Sequence, residues 1–471
     1  MGDALRLALA VVLVLAAGCG GAGGRADAAG EADAAADTAW DLDQAAPDEA
    51  TSEADALPPA DALDAEAAEF AGDDPSANAC PDVALEETFQ LFPAEATPQL
   101  HPAVAFDGEA FWVTWTGPGA GNDLDTWAAR VQCDGTYAVA PFRVAVHDQG
   151  NDVDPDVAVS GASVLIAWTV DTGGNPNLFL PYRALGVDGS PVMAAEANWV
   201  PQVAGKPSTD GVWEPRLATM PGGGFVLAAS RSSPETLRFQ AVVGRIGTDG
   251  KPLADAATGT PVDAIVPLVE NGVSQDEPVV AADAAGGLWV AWTREPDAGD
   301  TSVQVARIEP GATTAGTPVA VAGGAAAANP WLAAGPDGVL LGYTGPTAAK
   351  DVQVLVLPAD GSNAPAVFGG KDTEFAPVVA TNPGGGALLW YRLRSGYQCD
   401  LLLQGFMVAG GAVIPRGQAT VLNPPETGDE HAAASVYLPA LVHVRDHVFL
   451  AVWPEGKSPA FKLQARFVEV E

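Results

Sequence analysis

EPVVAADAAGGLWVAW, Glu277 to Trp292, holds a proline, a short apolar run, a Gly-containing turn, a second apolar run and a closing aromatic. Two short apolar runs about a turn read as a β-hairpin. The same order, usually with the aromatic, returns six more times. It appears as HPAVAFDGEAFWVTW from His101, DPDVAVSGASVLIAW from Asp154, EPRLATMPGGGFVLAAS from Glu214 and NPWLAAGPDGVLLGY from Asn329. APVVATNPGGGALLWY from Ala376 and LPALVHVRDHVFLAVW from Leu438 complete the set. The anchoring prolines Pro102, Pro155, Pro215, Pro278, Pro330, Pro377 and Pro439 are 53, 60, 63, 52, 47 and 62 residues apart.

A weaker second hairpin follows most of these, as in TWAARVQCDGTYAVAPFRVA and VQVARIEPGATTAGTPVAVA. Four strands per roughly 50 residues, seven times over, is the pattern of one propeller blade per repeat. The strands are apolar at nearly every position, as sheets packed on both faces require. The expectation is therefore an all-β chain with a seven-bladed β-propeller over residues 80–471. A solenoid is the alternative, but it needs capping repeats, which are not evident. The seventh repeat ends after its third strand, FKLQARFVEV, while LEETFQLFPA precedes the first proline anchor. Residues Phe89 to Phe92 are thus expected to supply the missing strand and close the ring, hiding two sheet edges. The repeat resembles propellers at large. It lacks the paired GH and WD signals of WD40 blades and the Asp box of sialidases, and its GGG runs fall inside hairpin turns, unlike the Gly doublet of Kelch blades.

The N-terminal segment is different material. MGDALR followed by LALAVVLVLAAG is a charged start and about a dozen apolar residues, too short to span a bilayer and suited to a secretory signal. It ends in LAAGCGG, a small-residue run before Cys19 that resembles the lipobox of bacterial lipoproteins. That resemblance implies cleavage before Cys19 and lipid on its thiol, with Ala16, Ala17 and Gly18 preceding it. The family usually has Leu three residues before the Cys, whereas Leu15 lies four before. An ordinary signal peptide is the other reading of residues 1–19. Gly20 stands where an Asp favours the inner membrane in enteric bacteria, so the resemblance implies an outer-membrane lipoprotein, facing the periplasm or the cell surface. Residues 20–79 carry 16 acidic residues against one basic residue, Arg25, with little apolar content. Such a segment cannot build a core and reads as a disordered spacer, with a coil reach of roughly 40 to 45 Å.

The formal net charge of -38 disfavours nucleic-acid and anionic-membrane surfaces, so the only membrane contact expected is the lipid anchor. Among the other three cysteines, a propeller places Cys80 and Cys133 on one rim and Cys399 on the opposite face. Export permits a disulfide, and Cys80 with Cys133 is the pair this geometry favours. Of the five histidines, His443 and His447 lie closest, but they flank a turn and do not share a helix face, so no zinc site is expected. No GxSxG motif, phosphate loop or other catalytic set is evident. The recurrent Trp115, Trp168, Trp292, Trp390 and Trp453, with Tyr343, read as packing between blades rather than a stacking platform.

The loops expected on one face are acidic. Asp123 and Asp125 lie in one set. Asp152 with Asp154, Asp210 with Glu214, Asp276 with Glu277, Asp372 with Glu374 and Asp429 with Glu430 lie in the other, just before the repeat prolines. NDVDPDV, with Asp152, Asp154 and Asp156 at alternate positions, mimics a calcium loop but lacks the Gly and Glu such a loop needs. Calcium is the one metal these loops would suit, shared among several of them; no other cofactor is expected. The functional expectation is a monomeric, envelope-anchored binding or scaffold module whose acidic face takes a protein, a glycan or a cationic ligand. An envelope glycan hydrolase or lyase, with carboxylates on the same face, is the alternative.

Overall fold

A computed structural model describes residues 80–470 apart from 81–82, 84, 86, 120–122, 146–149, 173–177, 204–205, 208–210, 234–237, 255–263, 266–272, 298, 325–326, 346–350, 359–363, 371, 394–398, 424–437 and 457–459. The segments read as signal, lipobox and spacer, with Cys19, lie outside the described residues.

Seven antiparallel sheets of four or five strands are the propeller blades, and among the described residues a two-stranded ribbon, Gln202–Val203 with Lys206–Pro207, accompanies them. Blade 1 runs Leu100–Phe106, Ala110–Pro118, Leu124–Gln132 and Tyr137–Arg143 in spatial order. Blades 2 to 6 begin at Asn151–Ser160, Val212–Thr219, Val273–Ala282, Ala328–Gly335 and Glu374–Asn382. Blade 7 takes Ala440–Arg445, Val448–Glu455 and Lys462–Glu469 from the C-terminal end and its outermost strand, Thr88–Gln90, from the N-terminal end. That closing strand pairs Thr88 with Arg466, Phe89 with Ala465 and Gln90 with Gln464, and Leu91 N–H donates to Leu463 O at 3.0 Å. The expected closure is therefore the observed one.

The core is divided among the junctions between blades. Each junction has its own cluster of buried apolar side chains, including the one that joins blade 7 to blade 1 through Trp115, Val444, Leu450 and Phe467. Trp168 sits between blades 1 and 2, Trp292 between 3 and 4, Tyr343 between 4 and 5, Trp390 between 5 and 6 and Trp453 between 6 and 7. All are at most 1 % exposed, which makes them structural. Blade 3 has Ala229 at this position, and Trp199 packs into the same cluster.

The second hairpins of blades 2 and 3 depart from expectation. After the third strands, Pro181–Gly186 and Arg238–Ile246, the turn leads only to single bridges, Leu185 with Pro191 and Ile246 with Pro252. Proline has no N–H to extend a ladder there. The fourth strands come later, as Ala197–Asn198 and Ala264–Ile265. Cys80 and Cys133 form a disulfide with Cα atoms 5.3 Å apart, tying the segment before the closing strand to the turn after blade 1's third strand. Cys399 is a buried thiol.

Candidate functional site

The residue before the repeat proline has an unusual backbone. His101, Asp154, Glu214, Glu277, Asn329 and Ala376 have φ of 50°, 52°, 55°, 52°, 51° and 54°, in the left-handed region. A side chain there costs about 1–2 kcal/mol, which is why the region favours glycine. None of the six is glycine. In each of these blades the pairing of the first two strands slips at this point, for example between Leu100 and Ala103 and between Asp276 and Val279. This is a β-bulge, a device that re-aims a side chain. Here it brings the residue before the proline onto the propeller axis. In blades 3 and 5 the bulge is braced by the Thr that follows the recurrent aromatic of the preceding blade. Glu214 N–H donates to Thr169 Oγ1 at 2.9 Å, and Asn329 N–H to Thr293 Oγ1 at 3.2 Å.

The innermost strands surround a cavity of about 410 Å³, lined by this ring and by the residues after the prolines. That volume lies in the range of small-molecule sites. The lining has two sectors. From blades 1 to 5 come His101, Asp154, Asp156, Glu214, Arg216, Glu277 and Asn329; from blades 5 to 7 come Trp331, Phe375, Ala376, Leu438 and Leu441 with their prolines.

The polar sector is heavily cross-linked. His101 Nδ1 is in direct contact with Asp154 Oδ1. Burial, followed by the charge of Arg216, pushes His101 down to about 3, so the ring is neutral and donates to Asp154. Asp156 accepts from Val157 N–H at 2.8 Å and from Leu217 N–H of the next blade at 2.7 Å. Burial raises its pKa despite these bonds and Arg216. Asn329 Nδ2 donates to both oxygens of Glu277 at 3.1 and 3.2 Å, and Thr293 Oγ1 donates to Oε2 at 3.2 Å. Glu277 is exposed to the cavity, yet the protein packed around that cavity, with Asp276 beside it, pushes its carboxyl up. In the apolar sector, Trp331 Nε1 donates to Val379 O at 3.1 Å, which fixes the indole.

The acidic residues expected to share one open loop face are divided. Asp154, Glu214 and Glu277 line the cavity. Asp123 is half-buried, ahead of the third strand of blade 1, and Asp276 is half-buried beside the cavity ring. Asp125, Asp152 and Glu374 are each 1 % exposed, so they are not open loop groups. Asp125 is ion-paired to Arg143 at 3.0 Å. Burial, then Asp125 and Glu196, pushes Asp152 up to about 8. Burial also raises Glu374, which accepts from Gly370 N–H at 3.1 Å. The reason is shared: Asp152 and Glu374 lie two residues before the ring, already inside the first strand, where the blades pack. Asp372 is exposed, as is Glu277 on the cavity wall, and Asp210, Asp429 and Glu430 lie outside the described residues. Among the described residues no group of three His, Cys, Asp or Glu is disposed to hold a metal ion.

Sequence reasoning missed Arg216, Asn329, Trp331 and Phe375 as cavity residues. Their signal was visible as spacing, since each lies within two residues of a repeat proline. What the spacing could not reveal is the bulge that turns those positions toward the axis.

No family model matches the chain, and no curated protein matches it. Solved structures do resemble it. A protein of unknown function from Dyadobacter fermentans aligns at 12 % identity over 83 % of this chain and 100 % of its own, with a TM-score of 0.48. The GH93 α-L-arabinofuranosidase of Fusarium graminearum, in complex with arabinobiose, aligns at 13 % identity over 81 % and 98 %, with a TM-score of 0.43. An endo-arabinase from Bacteroides thetaiotaomicron aligns at 12 % identity over 70 % and 99 %, with a TM-score of 0.37. At this identity the likeness is one of fold and carries no activity over.

Proposed function

We propose that the protein is a glycan-binding propeller that takes one or two sugar units in its axial cavity, and that Cys19 anchors it to the cell envelope by lipid. The single observation behind this reading is the two-sector lining. A sugar ring has hydroxyl edges that both donate and accept, and C–H faces that are apolar. The cavity offers acceptors and donors on one side, in Asp154, Glu214, Glu277, Asn329 and Arg216, and an apolar wall with Trp331 and Phe375 on the other. A few placed polar groups against an apolar wall is the usual composition of a small-molecule site. The site is thus assigned to the axis, in place of an open acidic face. Calorimetry of the purified full chain against a panel of neutral and acidic mono- and disaccharides tests it. One-to-one binding that is lost in Glu277→Gln supports the reading, and absence of binding to every sugar refutes it. Mass spectrometry showing no acyl group on Cys19 would remove the anchor.

One observation favours a glycan hydrolase as the second reading. Glu277, with its carboxyl pushed up, shares the cavity with Asp154 and Glu214. Two carboxyl groups in different environments are the ingredients of acid–base glycoside cleavage. Release of reducing sugar from a bound oligosaccharide, abolished by Glu277→Gln, would select it over binding alone.

A further inference from the structure

We infer that the sugar held in the axial cavity is a uronic acid, and that Arg216 receives its carboxylate; this rests on the glycan-binding reading above. Arg216 does not belong to the repeat architecture. The residue after the repeat proline is Ala103, Asp156, Arg216, Val279, Trp331, Val378 and Ala440 in the seven blades, so a cation occurs there once. Among the described residues that line the cavity it is the only Lys or Arg.

Its hydrogen bonding leaves most of it available. Nη1 donates to Pro215 O at 2.9 Å, and Arg216 makes no other hydrogen bond or ion pair among the described residues. A guanidinium has five N–H donors in a planar fork that matches a carboxylate two bonds at a time. The nearby acids do not fill that fork. Asp156 spends both oxygens on the N–H groups of Val157 and Leu217. Glu277 is held by Asn329 and Thr293, and Asp154 by His101. Arg216 is half-buried on the cavity wall, and a carboxylate that fills its fork makes charge-assisted, bidentate hydrogen bonds stronger than those to a neutral group.

The same acids decide which anion fits. Asp154, Asp156, Glu214 and Glu277 around the fork penalise a dianion more than a monoanion, so phosphate is disfavoured and a single carboxylate is preferred. The carboxylate would occupy the fork, the ring hydroxyls would meet the Glu277–Asn329 pair, and the C–H face would rest on the wall of Trp331, Phe375 and Leu438.

The test is calorimetry of the purified full chain with matched pairs: galacturonate against galactose, glucuronate against glucose, and each uronate against its methyl ester. Sulfated and phosphorylated sugars complete the set. At least tenfold tighter binding of one uronate over its neutral partner is expected, with a comparable loss on esterification. The ester arm needs no variant and so does not depend on folding. Arg216→Gln is expected to erase the preference for the uronate, with Arg216→Lys intermediate. Equal or tighter binding of the neutral sugar or the ester would overturn the inference and leave the glycan reading standing. So would a preference for the sulfated or phosphorylated sugar, or a preference that survives Arg216→Gln. Failure of every sugar to bind would overturn both.

Discussion

The aromatic in the second strand and the residue before the proline both recur blade after blade, yet they are kept for opposite reasons. At the first position the side chain repeats: Trp115, Trp168, Trp292, Trp390 and Trp453, with Tyr343, all fill junctions between blades. At the second position the backbone repeats and the side chain does not. His101, Asp154, Glu214, Glu277, Asn329 and Ala376 share one left-handed bulge and have little chemistry in common. Constant side chains mark what every junction needs. A constant backbone with varied side chains marks a frame onto which a site has been built.

The largest effect expected lies in the aromatic set. Trp168 is wholly buried in the junction of blades 1 and 2, against Val157, Val164 and Ile166. Trp168→Ala should destabilise the protein by about 3–5 kcal/mol, the usual range for emptying such a site. Chemical denaturation would measure it. A loss below about 1 kcal/mol would mean that the junction collapses to fill the void, and that the repeat of this aromatic is not structural.

Asp152 tests the same junction through pH. Its carboxyl is 1 % exposed and is pushed up to about 8, first by burial and then by Asp125 and Glu196. Between the unfolded value near 4 and about 8, the folded state holds a proton that the unfolded state has released. Stability from this group is therefore fully present below about pH 4 and declines as pH rises toward 8, by at most about 1.4 kcal/mol per unit. Asp152→Asn should flatten that slope and leave the variant the more stable protein at pH 8. Denaturation curves at pH 5 and pH 8 decide it; an unchanged slope would show that Asp152 is ionised in the folded state.

In the axial ring the effect should fall on binding instead. Gln in place of Glu277 can keep an acceptor for Asn329 and Thr293, so stability should change by less than about 1 kcal/mol. Sugar binding should weaken at least tenfold. If Glu277→Gln lowers stability as much as Trp168→Ala does, the ring is part of the frame and the contrast between the two positions fails.

The repeat, the blade count and the closing strand were legible because they rest on hydrophobic periodicity and on regular spacing. Phe89 could be assigned to blade 7 by counting strands. The site was legible only in part. The sequence exposes the acidic residues before the prolines, but Asp152 and Asp154 are two positions apart on one strand and differ completely in environment. One is sealed between blades and the other opens on the axis. The bulge between Val153 and Asp156 makes that difference. A slip of one residue reverses the face on which following side chains lie. No composition signals such a slip at a proline, because the residue before proline ordinarily prefers extended backbone. Arg216 and Trp331 escaped notice for the same reason, since on a regular strand they would have no cause to meet.

The smallest effect expected is the most direct probe of that frame. Ala376 has the same left-handed backbone, with φ of 54°, as the five polar members of the ring, but its side chain carries no hydrogen-bonding group for a sugar. If the bulge is imposed by the fold at each junction, the strain at Ala376 is a cost with no local return. Glycine adopts this conformation without the Cβ clash, although its unfolded chain has more freedom to lose. Ala376→Gly should therefore stabilise the protein by about 0.5–1 kcal/mol, while sugar affinity stays within twofold of the parent. Thermal melts and calorimetry of the single variant measure both. A destabilised Ala376→Gly would mean that the Ala376 methyl, 5 % exposed and packed in the junction of blades 6 and 7, contributes more by burial than its backbone costs. The bulge in blade 6 would then be held by side-chain packing, whereas in blades 3 and 5 the cross-blade bonds of Thr169 and Thr293 hold it.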